Sequence, residues 1–288
     1  MSEIRILVTG ANGQLGKSLK RTFERHGCEN VVYTDVDTLD ITDREAVKKF
    51  IDAQGFSHIV NCAAFTNVDK AETDSIEAAK LNTEAVGLLA EMAAKNGIKI
   101  IHISTDYVFA GDSGRTYNEN DEPYPQTIYG RTKLEGEGIL TAFCPNAIII
   151  RTSWLYSEFG NNFVAKMLEL AAEGGEIRVI SDQIGTPTYA GDLAEVIYKI
   201  IRHDIWETGF YHFSNEGVAS WYDFAMAIFR RSGHSDLKVT PIASKDFKSP
   251  AKRPLFSVLN KEKIKRCFDI KIPHWEVSLN KCLKNMKE

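Results

Sequence analysis

The stretch VTGANGQLG, residues 8–16, follows a short apolar run, IRIL, and opens a segment whose apolar residues recur at helical spacing. Gly10, Gly13 and Gly16 stand at GxxGxxG spacing. Glycine there permits a tight turn, lets the backbone approach a pyrophosphate, and lets the helix lie close to the sheet. The helix N-terminus adds free N–H groups and the positive end of its dipole, which suits an anion. Strand, glycine turn and helix in this order predict dinucleotide binding at the start of the chain.

Working outward, NVVYT (30–34), HIVNC (58–62), IKIIHIS (98–104) and NAIIIR (146–151) read as further strands. Helical patterns fall at 14–26, 75–95 and 127–142, and Thr42 with Glu45 forms a capping-box pattern opening another helix. Apolar runs that are continuous rather than alternating suit strands covered on both faces. The fold class is therefore α/β, a Rossmann-like doubly wound parallel sheet. Beyond residue 150 helices are predicted at 162–173, 188–202 and 220–231, and GFYHFS (209–214) as a strand. Connections such as SDQIGTPTY and SKDFKSPAKRP interrupt them. We divide the chain into a dinucleotide-binding domain, 1–150, and a smaller, mainly substrate-binding region, 151–288, with some segments returning to the first.

A chain of 288 residues with 43% hydrophobic and 26% charged residues has the composition of a soluble globular protein. Its net charge of −4 gives no reason to expect a nucleic-acid or membrane surface. Five scattered cysteines without a CxxC pair predict reduced thiols in the cytoplasm, with neither a disulfide framework nor a zinc site. No signal-peptide or membrane-spanning pattern is evident, and no histidine spacing suggests a metal. His102, in an apolar run, reads as a satisfied core residue.

Asp35 ends the second strand about 20 residues past the glycines, where a carboxylate would accept ribose hydroxyls. Asp37 and Asp40 compete for that role. No Lys or Arg occurs from Asp35 to Asp43, so the reading favours NADH, with NADPH tolerated. In TIYGRTKLEGEG (127–138), Tyr129 and Lys133 lie one helical turn apart on one face. An ammonium about 4 Å from a phenol contributes about 4 kcal/mol at an effective dielectric of 20, or roughly three pK units. Lys133 is thus expected to pull Tyr129 toward neutrality as a proton donor.

The glycine triplet, NCAA (61–64), STDYVF (104–109) and the Tyr129–Lys133 spacing together resemble the extended short-chain dehydrogenase/reductase family. VDKAE (68–72), RTSWLY (151–156), GNNF (160–163) and DQIGTPT (182–188) resemble its branch that reduces 4-keto-6-deoxy sugars linked to dTDP. The resemblance implies Tyr129 as proton donor, Lys133 on the nicotinamide ribose and Thr105 on the substrate carbonyl. It implies cofactor contacts at Gly10, Gly13, Gln14, Leu15, Gly16, Asp35, Asp40, Ile41, Ala63, Ala64, Phe65 and Thr66. Thr105, Asp106 and Trp154 would meet the sugar nucleotide. Trp154 could equally be packing, and Arg253 either clamps a diphosphate or forms an exposed ion pair. Relatives can bridge a homodimer through magnesium held by acidic residues near the third glycine. Lys17 stands there in this chain and speaks against the metal, while leaving a homodimer open.

Three other readings share the fold. A 4,6-dehydratase needs an Asp–Glu pair after the threonine, and here Asp106 is followed by Tyr107. A 4-epimerase shares Tyr129 and Lys133 but must retain its cofactor. A non-catalytic cofactor-binding regulatory subunit would show the loss of one of the three catalytic residues, and all are present.

Overall fold

The computed structural model describes residues 4–287. Its first half runs β1 (Ile6–Thr9), α1 (Gln14–Arg25), β2 (Val31–Thr34), α2 (Arg44–Asp52), β3 (His58–Asn61), α3 (Val68–Ala71), α4 (Ser75–Ala79), α5 (Ala85–Asn96), β4 (Lys99–Thr105), α6 (Ile128–Phe143) and β5 (Ile148–Thr152). The second half runs β6 (Leu155–Tyr156), α7 (Phe163–Glu173), β7 (Glu176–Ile180), β8 (Ile184–Gly185), β9 (Thr188–Tyr189) and α8 (Ala190–Arg202). It closes with β10 (Gly209–Phe213), β11 (Ala219–Ser220), α9 (Trp221–Ser232), β12 (Lys238–Ile242), α10 (Glu262–Phe268) and α11 (Trp275–Asn285).

Six strands form one parallel sheet in the order β10-β5-β4-β3-β1-β2. Side chains alternate across it. Ile6, Val8, Ile101, Ile148 and Ile150 pack beneath α1, α8 and α10, whereas Leu7, Ile59, Ile100 and Ile149 pack beneath α2, α5 and α6. Both faces are therefore dry, which is why these strands read as unbroken apolar runs. β2 and β3 flank β1, so the connections leaving it diverge to opposite sides. This topological switch point opens a crevice at the carboxyl ends of β1 and β3.

Strand β10 lies beside β5, and α8 packs against α1, so both belong to the sheet layers although they follow residue 150. A separate core forms around Tyr156, Val164, Tyr189, Phe224, Phe229 and Leu279. The pair β7–β12, with EIRVI against KVTPI, edges that region, and neither strand had a sequence signal strong enough to predict. The capping-box expectation at Thr42 and Glu45 is corrected. Asp43 caps α2 by accepting from Ala46 N at 3.0 Å, while Thr42 turns back to Asp40. The helix expected over 75–95 is interrupted by a π turn, Lys80–Glu84, between α4 and α5. Among the described residues no helix is long and apolar enough to cross a membrane.

Candidate active site

Gly10 adopts φ +66°, and a Cβ there would lie 2.6 Å from Ala63 N. The loop between β1 and α1 and the loop after β3 therefore touch backbone to backbone. Gly16 presses against the carbonyl of Gly10 in the same way, so any side chain would push the helix off the turn. Gly13 caps α1 without a side-chain acceptor, which leaves the first helical N–H groups to a ligand. Asp35 takes Asn12 N at 2.8 Å and Val36 N at 2.9 Å, holding its carboxylate at the rim of this cradle. The cradle fits a dinucleotide: close backbone, free N–H donors and a carboxylate for ribose hydroxyls.

The crevice encloses about 1040 Å³, beyond what a single sugar needs. Around it stand Gly10, Gly13, Gln14, Leu15, Gly16, Asp35, Asp40, Ile41, Ala63, Ala64, Phe65, Thr66, Thr105, Asp106, Tyr129, Lys133, Trp154 and Arg253. Every site residue singled out from sequence thus lines one crevice, whereas Asp37 does not. Lys80, from the π turn, also lines it and its charge helps hold the Asp40 carboxyl below the usual range, after the hydrogen bonds from Thr42. A cation at the ribose end therefore comes from outside the 35–43 stretch inspected for one.

Tyr129 and Lys133 ride on α6. Thr127 caps the helix through Gly130 N at 3.0 Å, and Glu72 accepts Ile128 N at 2.9 Å. Gly130 lets the helix close on the carbonyl of Tyr107, and the Tyr107 ring meets Tyr129 edge-on at 5.5 Å. Thr105, at the end of β4, donates to Asp106 Oδ1 at 3.1 Å and accepts Tyr107 N at 3.2 Å. Burial pushes the Asp106 carboxyl up to about 6.

The expected acidification of Tyr129 is corrected. Burial pushes its phenol well above the ordinary range, Asp106 and Tyr107 add to that, and only a hydrogen bond with Thr105 opposes it. The amine of Lys133 turns instead to Ile103 O at 2.8 Å and His102 Nε2 at 3.2 Å. Burial lowers it to about 8. His102 is a satisfied buried residue, its other nitrogen meeting Asn61 Nδ2 at 3.1 Å.

On the substrate side Trp154 holds φ +48°, a costly backbone for a bulky residue. Its ring stacks on Trp221 at 3.6 Å and 8°, so one face is taken by protein. Trp221 lines the crevice too and was not singled out from sequence. Arg253 pairs with Asp69 at 2.7 Å, reaches the Tyr107 hydroxyl at 3.2 Å and lines the crevice, so its ion pair is half-buried rather than exposed.

Asn82 is the main residue that sequence reading passed over. Fully buried in the π turn, it accepts Phe65 N at 2.8 Å and donates to Phe65 O and Thr132 Oγ1, both at 3.1 Å. It ties the 63–66 loop to α6, and π turns favour functional sites. Asn82→Ala should lower stability by about 2 kcal/mol, since it strands the half-buried backbone of Phe65 and takes a donor from the buried Thr132 hydroxyl, and should weaken NADPH binding. Urea unfolding and a cofactor titration check both, and a variant as stable as the wild type would refute the clamp.

A nucleotide cradle opening onto a Thr–Tyr–Lys set defines an NAD(P)-dependent ketoreductase of the extended short-chain dehydrogenase/reductase class. Residues 4–288 match the family model described as RmlD substrate binding domain. The chain is 41% identical to the dTDP-4-dehydrorhamnose reductase of Aggregatibacter actinomycetemcomitans, over 98% of each. It is 42% identical to a probable dTDP-4,6-dihydroxy-2-methyloxan-3-one 4-ketoreductase of Streptomyces antibioticus, over 90% of this chain and 88% of that one. Its structure matches that of dTDP-4-dehydrorhamnose reductase from Bacillus anthracis in complex with NADP at TM-score 0.93 and 36% identity, over 98% and 99% of the two chains. The chain belongs to the dTDP-4-dehydrorhamnose reductase family.

Proposed function

We propose that the protein reduces the C4 ketone of dTDP-4-dehydro-L-rhamnose to dTDP-L-rhamnose, using NADPH or NADH. The observation that carries this reading is the meeting of Thr105 and Tyr129 in the crevice that the glycine cradle shares with Trp154, Trp221 and Arg253. The cofactor's nicotinamide, when bound, supplies the hydride that goes to the ketone carbon. Thr105 orients the ketone oxygen, and Tyr129 gives that oxygen its proton. A sugar alkoxide is a far stronger base than a phenolate, and burial, which disfavours both anions, raises the conjugate acid of each. Proton transfer from a phenol that burial keeps protonated is therefore downhill, and reduction needs no acidified tyrosine.

Lys133 serves as ribose ligand in this reading, with Gly13, Gln14 and Leu15 at the pyrophosphate and Asp35 at the adenosine ribose. Lys80 beside Asp40 supports tolerance of a 2′-phosphate. All five cysteines are unpaired, which suits the reducing cytoplasm.

The test is loss of reduced-nicotinamide absorbance with dTDP-4-dehydro-L-rhamnose, against UDP- and GDP-linked 4-keto sugars. Turnover confined to the dTDP sugar is expected. Bound cofactor with no oxidation on any of them would leave a non-catalytic subunit. The 42% identity to a 4-ketoreductase named for a different dTDP sugar supports a second reading, in which the ketone is the same and the sugar differs. Faster turnover of that sugar would select it.

A further inference from the structure

The hydrogen bonds behind Lys133 have a fixed direction. The backbone N–H of Ala63 can only donate, and it meets Asn61 Oδ1 at 3.1 Å; the Thr9 hydroxyl donates to the same oxygen at 2.7 Å. The other amide atom of Asn61 is therefore the NH₂ group, and it faces His102 Nδ1 at 3.1 Å. His102 Nδ1 must then be the bare, accepting nitrogen. A neutral imidazole with a bare Nδ1 carries its proton on Nε2, and Nε2 sits 3.2 Å from Lys133 Nζ. An ammonium has three donors and no acceptor, so it would meet this N–H donor to donor. An uncharged amine fits: its lone pair takes the Nε2–H, one N–H goes to Ile103 O at 2.8 Å, and the second is free.

We propose that Asn61 and His102 are positioning residues that disfavour the ammonium form of Lys133 in the free crevice, so that its amine gives up a proton more readily than an ordinary lysine. The free N–H is the one a ribose hydroxyl would engage, and this last clause rests on the cofactor role given to Lys133 above. The surroundings agree. Lys133 and His102 are both buried, and burial keeps His102 far from its charged form. The ionisable groups acting on the amine are Glu137 from its own helix, Cys62 beyond β3, and His102 from β4. Glu137 is occupied by Arg151, which donates to it at 2.9 and 2.7 Å. Burial pushes the Cys62 thiol up to about 12, so it stays neutral. Tyr129, one turn earlier on α6, stays neutral as well. Among the described residues no unpaired anion faces the amine to hold a charge on it.

The test uses the full-length protein without cofactor. Nitrogen–proton correlation spectra of the histidine rings, with His102 assigned through His102→Gln, should show the Nε2–H tautomer. Carbon-13 lysine spectra, with Lys133 assigned through Lys133→Met, should show its amine half-deprotonated below about pH 9, where an ordinary lysine near 10.4 is still charged. The Nδ1–H tautomer, or a midpoint at or above about pH 9, would overturn the proposal. Asn61→Asp provides a second arm, because it replaces the NH₂ by an acceptor of the same shape, while also adding a negative charge. The imidazole proton must then move to Nδ1 and leave a bare Nε2 for an ammonium. The ring of His102 in this variant should show the Nδ1–H tautomer, with the Lys133 midpoint raised by about one unit or more, a tenfold shift. A ring that keeps its proton on Nε2 would also overturn the proposal, even where the added charge raises the midpoint. Failure of the ketoreductase reading looks different: no oxidation of NADPH by any keto sugar, with both spectra as expected.

Discussion

Tyr129→Phe is expected to lower turnover by ~10²–10⁴ while leaving NADPH affinity nearly unchanged. The substitution removes one oxygen and keeps the ring, so the edge-on contact with Tyr107 and the capping of α6 by Thr127 both survive. Thr105 stays in place to polarise the ketone. What is lost is the donor that meets the developing alkoxide, an interaction made only as the reaction proceeds, so the drop should fall on kcat. Because burial pushes the phenol up, wild-type turnover should show no limb from Tyr129 ionisation at neutral pH: the proton is present there and is lost only as pH rises past the ordinary tyrosine range near 10. Single-turnover absorbance kinetics across pH measure both. Turnover equal to wild type would remove Tyr129 from the chemistry, and lost NADPH binding would make it a cofactor residue.

The sheet was legible because its physics is local. β1, β3, β4 and β5 are buried on both faces, and such strands leave continuous apolar runs, while Gly10 and Gly16 mark close backbone approaches that a side chain would block. The crevice was legible for the same reason, since its residues sit at strand ends and on one helix turn. Elements whose stability comes from distant partners were not. β7 alternates polar and apolar residues and is a strand because β12 pairs with it from more than 50 residues away. Asn82 looks like an ordinary polar residue in a helical run, and only the fold brings Phe65 and Thr132 to it. The largest misreading concerned charge. The i, i+4 spacing of Tyr129 and Lys133 invited a two-body estimate of their coupling, but spacing carries no information on solvation. Burial moves both groups away from their charged forms, and His102 with Ile103, 31 and 30 residues away, takes the amine. Lys80 supplies a similar lesson, as a cation delivered to Asp40 by the π turn rather than by its neighbours in sequence.

Gly10→Ala should damage both the stability and the nucleotide site. Two costs act at once. An alanine at φ +66° stands in the left-handed region, which costs roughly 1–2 kcal/mol for a residue with a Cβ. That Cβ also falls 2.6–2.8 Å from Ala63 N, Ala63 Cα and Cys62 C, all of them backbone, so no flexible side-chain end can yield. Overpacking of this kind adds about 1–3 kcal/mol, and the sum is a large fraction of the stability of an ordinary domain. Relief requires the β1–α1 turn to part from the loop after β3, and that parting separates the two walls of the cofactor cradle. NADPH affinity should therefore fall at least about tenfold, the equivalent of 1.4 kcal/mol, even at temperatures where the variant remains folded. The converse control is Gly27→Ala, also at positive φ (+66°) but with nothing within 4 Å of the added methyl. It should lose only the conformational term and keep full NADPH affinity. If calorimetry and cofactor titration show the two variants behaving alike, backbone contact between the two loops is not what shapes the nucleotide site.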